Sequence, residues 1–214
     1  MLIERPPRLF RALVPGGIFR MPAGKRGHDI YLTFDDGPIP EATPWVLDTL
    51  DRYGVKATFF MVGDNARRHP ELAREVARRG HRIGNHTMHH LQGVKVTTRT
   101  YLRDVSEAQA HVCPEGVAEA CDGLPLFRPP HGWLRPRQAR AMRKHYRVVM
   151  YDLVTRDYSR RLTAAQVLDN VKRYARPGAI VVFHDSLKSL PRLREALPSA
   201  LEWLQEQGYE FKLL

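Results

Sequence analysis

The chain has 214 residues, 43% hydrophobic and 27% charged, which is ordinary globular composition and excludes a disordered tail, a collagen or a coiled coil. A chain of this length buries roughly 70% of its unfolded surface and needs no staple to fold. The charge is less ordinary: 34 Lys and Arg against 23 Asp and Glu give +11 at neutral pH. Such a surface attracts polyanions. The basic residues are nevertheless scattered over helical segments (Arg67, Arg68, Arg74, Arg78, Arg79; Arg137, Arg140, Arg143, Lys144) and no nucleic-acid motif accompanies them. They read as solvated helix faces. No nucleic-acid partner is expected, and weak association with anionic membrane or acidic glycan surfaces is the most that charge alone allows. No apolar run approaches the ~18 residues of a membrane span. The early stretch Ala12-Leu13-Val14 is cut by Pro15 and Gly16, so no secretory core is read there. The expected location is cytoplasmic, with membrane-peripheral placement or export by another route left open. Cys113 and Cys121 are too few for a disulfide scaffold and read as two free thiols, a local bridge being the alternative.

Strand-like and helix-like segments alternate along the chain. Residues 1–27 form an N-terminal arm that mixes Arg5, Arg8, Arg11 and Arg20 with Leu9, Phe10, Leu13, Val14, Ile18 and Phe19; its prolines and glycines break any long helix, so it is expected to pack on the following domain, residues 28–214. Asp29 to Phe34 reads as a strand ending in a turn, and Glu41 to Tyr53 as a helix. Ala57 to Val62 is a strand closed by Gly63. Asp64 to Arg79 reads as one helix, capped by Asp64 or Asn65 and stopped by Gly80. A short strand, His81 to Asn85, precedes a helix from Thr98 to His111. Cys113 to Pro125 is a loop and Leu126 to Arg128 is extended. A basic helix from Arg135 to His145 leads into a strand from Arg147 to Leu153. Thr163 caps a helix to Ala175, Ala179 to His184 is a buried strand, Pro191 to Glu206 is a helix, and Tyr209 to Leu214 is a last strand. This alternation means parallel β/α architecture, as a closed barrel or an open sheet.

In parallel β/α folds the chemistry sits at the C-terminal ends of the strands. Five such ends carry polar residues: Asp35-Asp36, His86 to His90, Arg128 to Gly132, Asp152 to Asp157, and His184-Asp185. Adjacent residues of an extended chain point to opposite sides, so one carboxylate of TFDDGP can ligate a metal while the other stays free as a base, provided the Gly37-Pro38 turn bends the chain. His86 and His90 have the i, i+4 spacing of a helical turn that captures a divalent ion, with His89 as a rival and Asp36 as the third ligand. Three protein ligands with open positions describe a catalytic site. The rigid RPPHG loop can present a backbone N–H to a reacting oxygen, and Arg128 can hold a carboxylate. His184 ends an apolar strand, where burial and a neighbouring carboxylate would tune it.

Taken in order, these segments resemble the polysaccharide deacetylase family, also called the NodB-homology domain or carbohydrate esterase family 4. Thr33 to Pro38 (TFDDGP) resembles its first motif and His86 to His90 (HTMHH) its H-[ST]-x-x-H motif. Arg128 to Gly132 (RPPHG) resembles R-x-P-x-G, Thr155 to Tyr158 (TRDY) the aspartate–tryptophan motif, and Val182 to His184 (VFH) L-x-H. The resemblance implies a single-domain distorted (β/α) barrel of about seven parallel strands. It implies a hydrolase that uses one divalent metal to remove acetyl groups, most often N-acetyl, from a carbohydrate such as a chitooligosaccharide or a peptidoglycan-type glycan. Asp36, His86 and His90 would hold the metal. Asp35 would be the catalytic base, oriented by Arg128. The His131 backbone N–H would steady the oxyanion, and His184 would be the general acid, supported by Asp157. Two imidazoles and a carboxylate favour Zn²⁺, with Co²⁺ and Ni²⁺ as alternatives.

The sequence departs from the family pattern in three places. His131 stands where Tyr is usual and Tyr158 where Trp is usual. The first Asp of the common D-x-x-D-W motif falls on Val154; Asp157 matches the second, and Asp152 is nearby but out of register. Two other functions use the same parts: hydrolysis of a non-sugar, non-peptide C–N bond, and glycan binding by an inactive relative.

Overall fold

The computed structural model describes residues 4–25, 27–113, 118–121 and 123–214. In chain order the elements are α1 (Arg8–Ala12), β1 (Asp29–Asp35), α2 (Thr43–Arg52), β2 (Thr58–Met61), α3 (Gly63–Arg68), α4 (Pro70–Arg78), β3 (Arg82–Asn85), α5 (Thr98–Val112), β4 (Leu126–Phe127), α6 (Pro136–Met142), β5 (Arg147–Val148), β6 (Leu153–Val154), α7 (Ala164–Tyr174), β7 (Ile180–His184), α8 (Leu190–Glu206) and β8 (Glu210–Phe211). Every strand pairing is parallel, in the order β5-β4-β3-β2-β1-β7-β6, with β8 added at the start of β1.

The two ends of that order belong to one stretch of chain. Its first half bonds β4, through the Val149 N–H to Phe127 at 2.8 Å; its second half bonds β7, through the Asp152 N–H to Ile180 at 3.0 Å. The expected single strand from Arg147 to Leu153 is therefore two short strands joined by a bend, and the bend closes the curled sheet into a distorted seven-stranded barrel. Where this stretch leaves β4 for β7 it cannot bond both, and the N-terminal arm takes up the orphaned groups. Ile18 exchanges hydrogen bonds of 2.8 Å with Val148 and Met150, and the Glu4 carbonyl accepts the Val154 N–H at 2.8 Å. Phe10, Val14 and Phe19 are buried among Tyr101, Phe127 and Leu134.

The alternation of side chains along each strand sorts the core into two layers. On β1, Ile30, Leu32 and Phe34 pack outward against the helices together with Phe59 and Phe183. Tyr31 faces inward with Phe60, Leu126, Val149, Ile180 and Leu214. Continuing the inward row by steps of two reaches Asp35 on β1, Arg128 beyond β4 and His184 on β7. The barrel interior thus ends in polar groups at one rim because the apolar alternation behind them leaves no other facing.

Three local expectations are corrected. The helix over Asp64 to Arg79 is broken at His69, which lies at φ −132°, ψ 58°; a residue before proline is pushed out of the helical region by the ring, and Pro70 follows. Neither Asp64 nor Asn65 caps it, since α3 already begins at Gly63. Cys113 and Cys121 are not free thiols but a disulfide, with Cα atoms 6.4 Å apart. The chain leaves α5 at Cys113 and a 3-10 turn over Ala118–Cys121 brings it back within bonding reach. Residues 114–117 and 122 of the expected loop lie outside the described residues, as do residues 1–3 and 26 of the arm. Thr163 caps α7 as expected, accepting the Gln166 N–H at 3.2 Å while Gln166 returns a bond to the Thr163 N–H at 3.0 Å. Among the described residues no helix is long and apolar enough to cross a membrane.

Asp152, out of register with the family motif, serves this architecture. It is fully buried in the bend and bonded by Arg176 at 2.5 and 2.7 Å and by Arg11 of the arm at 3.1 Å. Burial alone would raise its pKa; the hydrogen bonds from Arg176, with Arg5 and Arg11 nearby, outweigh burial and hold it below the ordinary carboxyl value. A lowered folded-state pKa stabilises above the unfolded value and is lost as pH falls through the folded one. We therefore expect Asp152→Asn to cost about 2–3 kcal/mol at neutral pH, a drop in Tm of roughly 4–12 °C. The difference from wild type should shrink on acidification, as read by thermal melts across pH.

Candidate active site

The inward-facing strand ends meet around a cavity of about 420 Å³. Its walls include Asp35, Asp36, His86, His90, Arg128, His131, Tyr158 and His184. At its base Arg128 is almost wholly buried. Its Nη1 donates to Asp35 Oδ1 and to Thr33 Oγ1, both at 2.7 Å, its Nη2 donates to the Met150 carbonyl at 2.9 Å, and the guanidinium lies over the Phe60 ring, 4.1 Å from the centroid. Asp35 is thereby held in one orientation.

Asp36 should point away from Asp35 on an extended chain. Instead it adopts φ 87°, in the left-handed region, and its carboxylate turns back to the histidines. Its Oδ1 lies 3.3 Å from His90 Nε2 and 3.9 Å from His86 Nε2. Burial would raise its pKa, but the His90 hydrogen bond and the neighbouring His184 and His86 hold it well below the ordinary carboxyl range. The turn that follows is fixed by Asp185, whose Oδ1 accepts the Gly37 N–H at 3.0 Å and whose Oδ2 bonds Thr43 Oγ1 at 2.6 Å. Burial pushes the Asp185 carboxyl up to about 8.

His86 donates from Nδ1 to the Arg128 carbonyl at 2.8 Å, which leaves the lone pair on Nε2, facing Asp36. Burial lowers its pKa to about 4, so the ring is a neutral donor at neutral pH. The two histidines do not converge on a helical turn, contrary to the expectation from their spacing. Residues 86–92 form an irregular loop with Thr87 (φ 68°) and His90 (φ 52°) left-handed. Asp104 of α5 takes the place of helical hydrogen bonds, accepting the Met88 and His89 N–H groups at 2.9 and 3.2 Å. Its other oxygen is 2.6 Å from His89 Nδ1, which draws that ring away from Asp36; the His89 side chain is 57% exposed.

One donor atom from each of Asp36, His86 and His90 lies within 4.8 Å of the others. Two imidazoles and a carboxylate, one imidazole with its tautomer fixed by a carbonyl behind it, fit a divalent ion of the zinc type. On another wall His184 Nδ1 is 2.8 Å from Asp157 Oδ1, and the His184 backbone N–H donates to Asp157 Oδ2 at 2.7 Å. Burial works against the charged ring, but the Asp157 carboxylate outweighs it and raises the His184 pKa to about 9. Asp157 is thus the carboxylate that meets His184, while Asp152 faces the arm. His131 stands at φ 59° in the turn over Pro130–Gly132, its ring 4.7 Å from that of His90, and among the described residues nothing accepts its backbone N–H. All five non-glycine residues with positive φ among the described residues, Asp36, Thr87, His90, His131 and Arg156, lie on these loops, as strained backbone at functional sites does.

The sequence reading missed Asp104 and the bracing role of Asp185. An acidic residue in mid-helix has no local signature, and Asp185 was visible only as the neighbour of His184.

Residues 23–149 match the family model described as polysaccharide deacetylase. The chain belongs to that family. This polysaccharide deacetylase relative is 37% identical over 165 residues to a chitooligosaccharide deacetylase from Rhizobium leguminosarum bv. trifolii, covering 76% of this chain and 74% of that protein. It is 32% identical over 206 residues to a peptidoglycan-N-acetylglucosamine deacetylase from Bacillus cereus, covering 95% and 94%. The fold superposes with TM-score 0.83 on a peptidoglycan N-acetylglucosamine deacetylase crystallised with an N-hydroxybenzamide compound, at 31% identity over 93% of this chain and 91% of that one. A pseudoenzyme of carbohydrate esterase family 4 from Bacillus anthracis matches with TM-score 0.78 at 25% identity, over 94% and 68%.

The DDGP turn of this chain leaves no room for a side chain at its glycine. A β-carbon on Gly37 would collide with the Asp185 carboxylate. Gly37→Ala is expected to cost about 1–3 kcal/mol, measured by denaturant unfolding.

Proposed function

We propose that this protein is a metal-dependent carbohydrate deacetylase that hydrolyses an N-acetyl C–N bond on a glycan of chitooligosaccharide or peptidoglycan type. The observation that carries the reading is the convergence of Asp36, His86 and His90 in the same cavity as two separately supported acid–base groups, Asp35 on Arg128 and His184 on Asp157. The kinship with deacetylases of both substrate types supports it. A divalent ion held by the three ligands, Zn²⁺ by preference, supplies Lewis acidity to the acetyl carbonyl and to water.

The chain's own groups do the rest. Asp35 accepts the proton of the attacking water, its carboxylate kept in line by Arg128. The backbone N–H of His131, left without an internal acceptor, donates to the oxygen on which negative charge develops; such a donor is worth about 3–4 kcal/mol. His184, kept protonated by Asp157, gives its proton to the sugar nitrogen as the C–N bond breaks, so the products are acetate and a free amine. Glycan binding by an inactive relative would not need Asp35, Asp36, His86, His90 and His184 together, and all five line one cavity.

Two outcomes test this reading. Metal-stripped protein is expected to take up one Zn²⁺ by calorimetry, to lose it in Asp36→Ala, His86→Ala and His90→Ala, and to keep it in His89→Ala. Loss in His89→Ala with retention in His90→Ala would exchange their roles.

In acetate-release assays on chitooligosaccharides, with simple non-sugar amides as the contrast, Asp35→Asn should abolish turnover and keep the metal. His184→Ala should lower kcat by on the order of 10²–10⁴. Because the His184 pKa is raised to about 9, its proton is present at neutral pH and lost as pH rises through that value. Wild-type activity should therefore fall on the alkaline side, and that limb should vanish in His184→Ala. A near-normal kcat in that variant would place the acid elsewhere.

A further inference from the structure

We propose that the N-terminal arm is a brace for the acid–base pair: the Glu4–Arg156 ion pair positions Asp157, and through it His184, from outside the cavity. The inference rests on the role given above to His184. Arg156 immediately precedes Asp157 and stands at φ 63°, a left-handed conformation that a residue with a β-carbon rarely adopts. Its Nη1 lies 2.5 Å from Glu4 Oε1, with the two side chains 14% and 23% exposed. The backbone of the same arm residue holds the same segment, since the Glu4 carbonyl accepts the Val154 N–H at 2.8 Å. Glu4 thus grips both ends of the three residues that lead into Asp157. On the barrel side Thr155 is tied to the Val182 carbonyl at 3.0 Å, and its own carbonyl accepts from Asn170 at 3.1 Å.

Asp157 has no slack of its own. It is fully buried, with Oδ2 accepting the His184 N–H and Oδ1 shared by the His184 ring and the Tyr158 N–H. A shift of the segment must therefore move the histidine. Val154 and Tyr158 also line the cavity, so the same shift moves a wall. The arm touches the opposite wall as well: the Phe10 ring packs edge-on against Trp133, 5.0 Å between centroids, directly after His131 and Gly132. One segment of chain, lying ahead of the residues matched to the family model, spans both sides of the site. Glu4 and Arg156 reach no reacting atom and are positioning residues.

The test is a charge exchange in the full-length protein, comparing Glu4→Arg, Arg156→Glu and the double variant, with Glu4→Gln as the near-isosteric control. Two readouts are taken, acetate release from chitooligosaccharides and amide hydrogen exchange over residues 154–158. A misplacement of about 1 Å at a reacting group costs on the order of 100-fold. Glu4→Arg is accordingly expected to lose 10- to 100-fold, more in kcat than in KM, and to exchange faster at 154–158. Glu4→Gln should move the same way by less, and the double variant should recover most of both readouts. Wild-type kcat in Glu4→Arg, or no recovery of either readout in the double variant, overturns the brace. If the wild-type protein releases acetate from neither chitooligosaccharides nor peptidoglycan, the deacetylase reading fails, and exchange alone decides: unchanged protection of 154–158 in Glu4→Arg then overturns the brace on its own.

Discussion

The guanidinium of Arg128 is the piece on which the site is assembled. It fills the barrel beneath the cavity, over the Phe60 ring, and reaches Thr33 and Asp35 on β1 and the Met150 carbonyl on the closing stretch. A buried charge is costly unless paired and hydrogen-bonded, and removing one partner of such a pair typically costs about 3–5 kcal/mol. Here the pairing also transmits geometry. The side chain of Arg128 aims one carboxylate, while its main-chain carbonyl fixes which nitrogen of His86 carries the proton. A single residue therefore couples the position of Asp35 to the ligand character of His86, two groups on strands separated by β2.

The histidines illustrate how partner choice, with burial in common, divides labour within one cavity. His86 and His184 are both shielded from solvent, and desolvation disfavours the charged ring at each. His86 faces a neutral carbonyl with its donor nitrogen and becomes a lone-pair donor. His184 faces a carboxylate and becomes a proton carrier. Opposite tuning of like groups is how one site serves as ligand and acid at a single pH. His89, outside the cavity and drawn to Asp104, shows that adjacency in sequence to His90 confers no share in the site.

Much of this was legible before the fold was known. Five polar strand ends in one parallel β/α chain predict a single site, and Asp35 and His184 are among them. What escaped reading depended on residues far apart in sequence. Asp104 acts from the middle of a helix that looks merely amphipathic. The loop at His86 to His90 satisfies its N–H groups on that distant carboxylate, so the i, i+4 spacing pointed to a helix that does not form. The choice between Asp152 and Asp157 turned on which lies inside the barrel, and the bend that decides it is invisible in RVVMYDL. The break at His69 is the exception, since Pro70 announces it locally.

The placement of β1 has a consequence for how the molecule is made. Its neighbours are β2, from the following segment, and β7 and β8, from the end of the chain, with Asp35 directly opposite His184 in register. Long-range parallel pairing is slow because the loop must close before the contact is gained. On the ribosome, with synthesis running from the N-terminus, β1 is translated with one edge open and stays so until β7 (Ile180–His184) emerges. Buried at six of its seven residues in the finished barrel, β1 is thus also the strand that waits longest for its partner. During that interval the exposed strand edge is an aggregation hazard, and the rim that carries Asp35 and Asp36 cannot acquire its His184 side until β7 has been made.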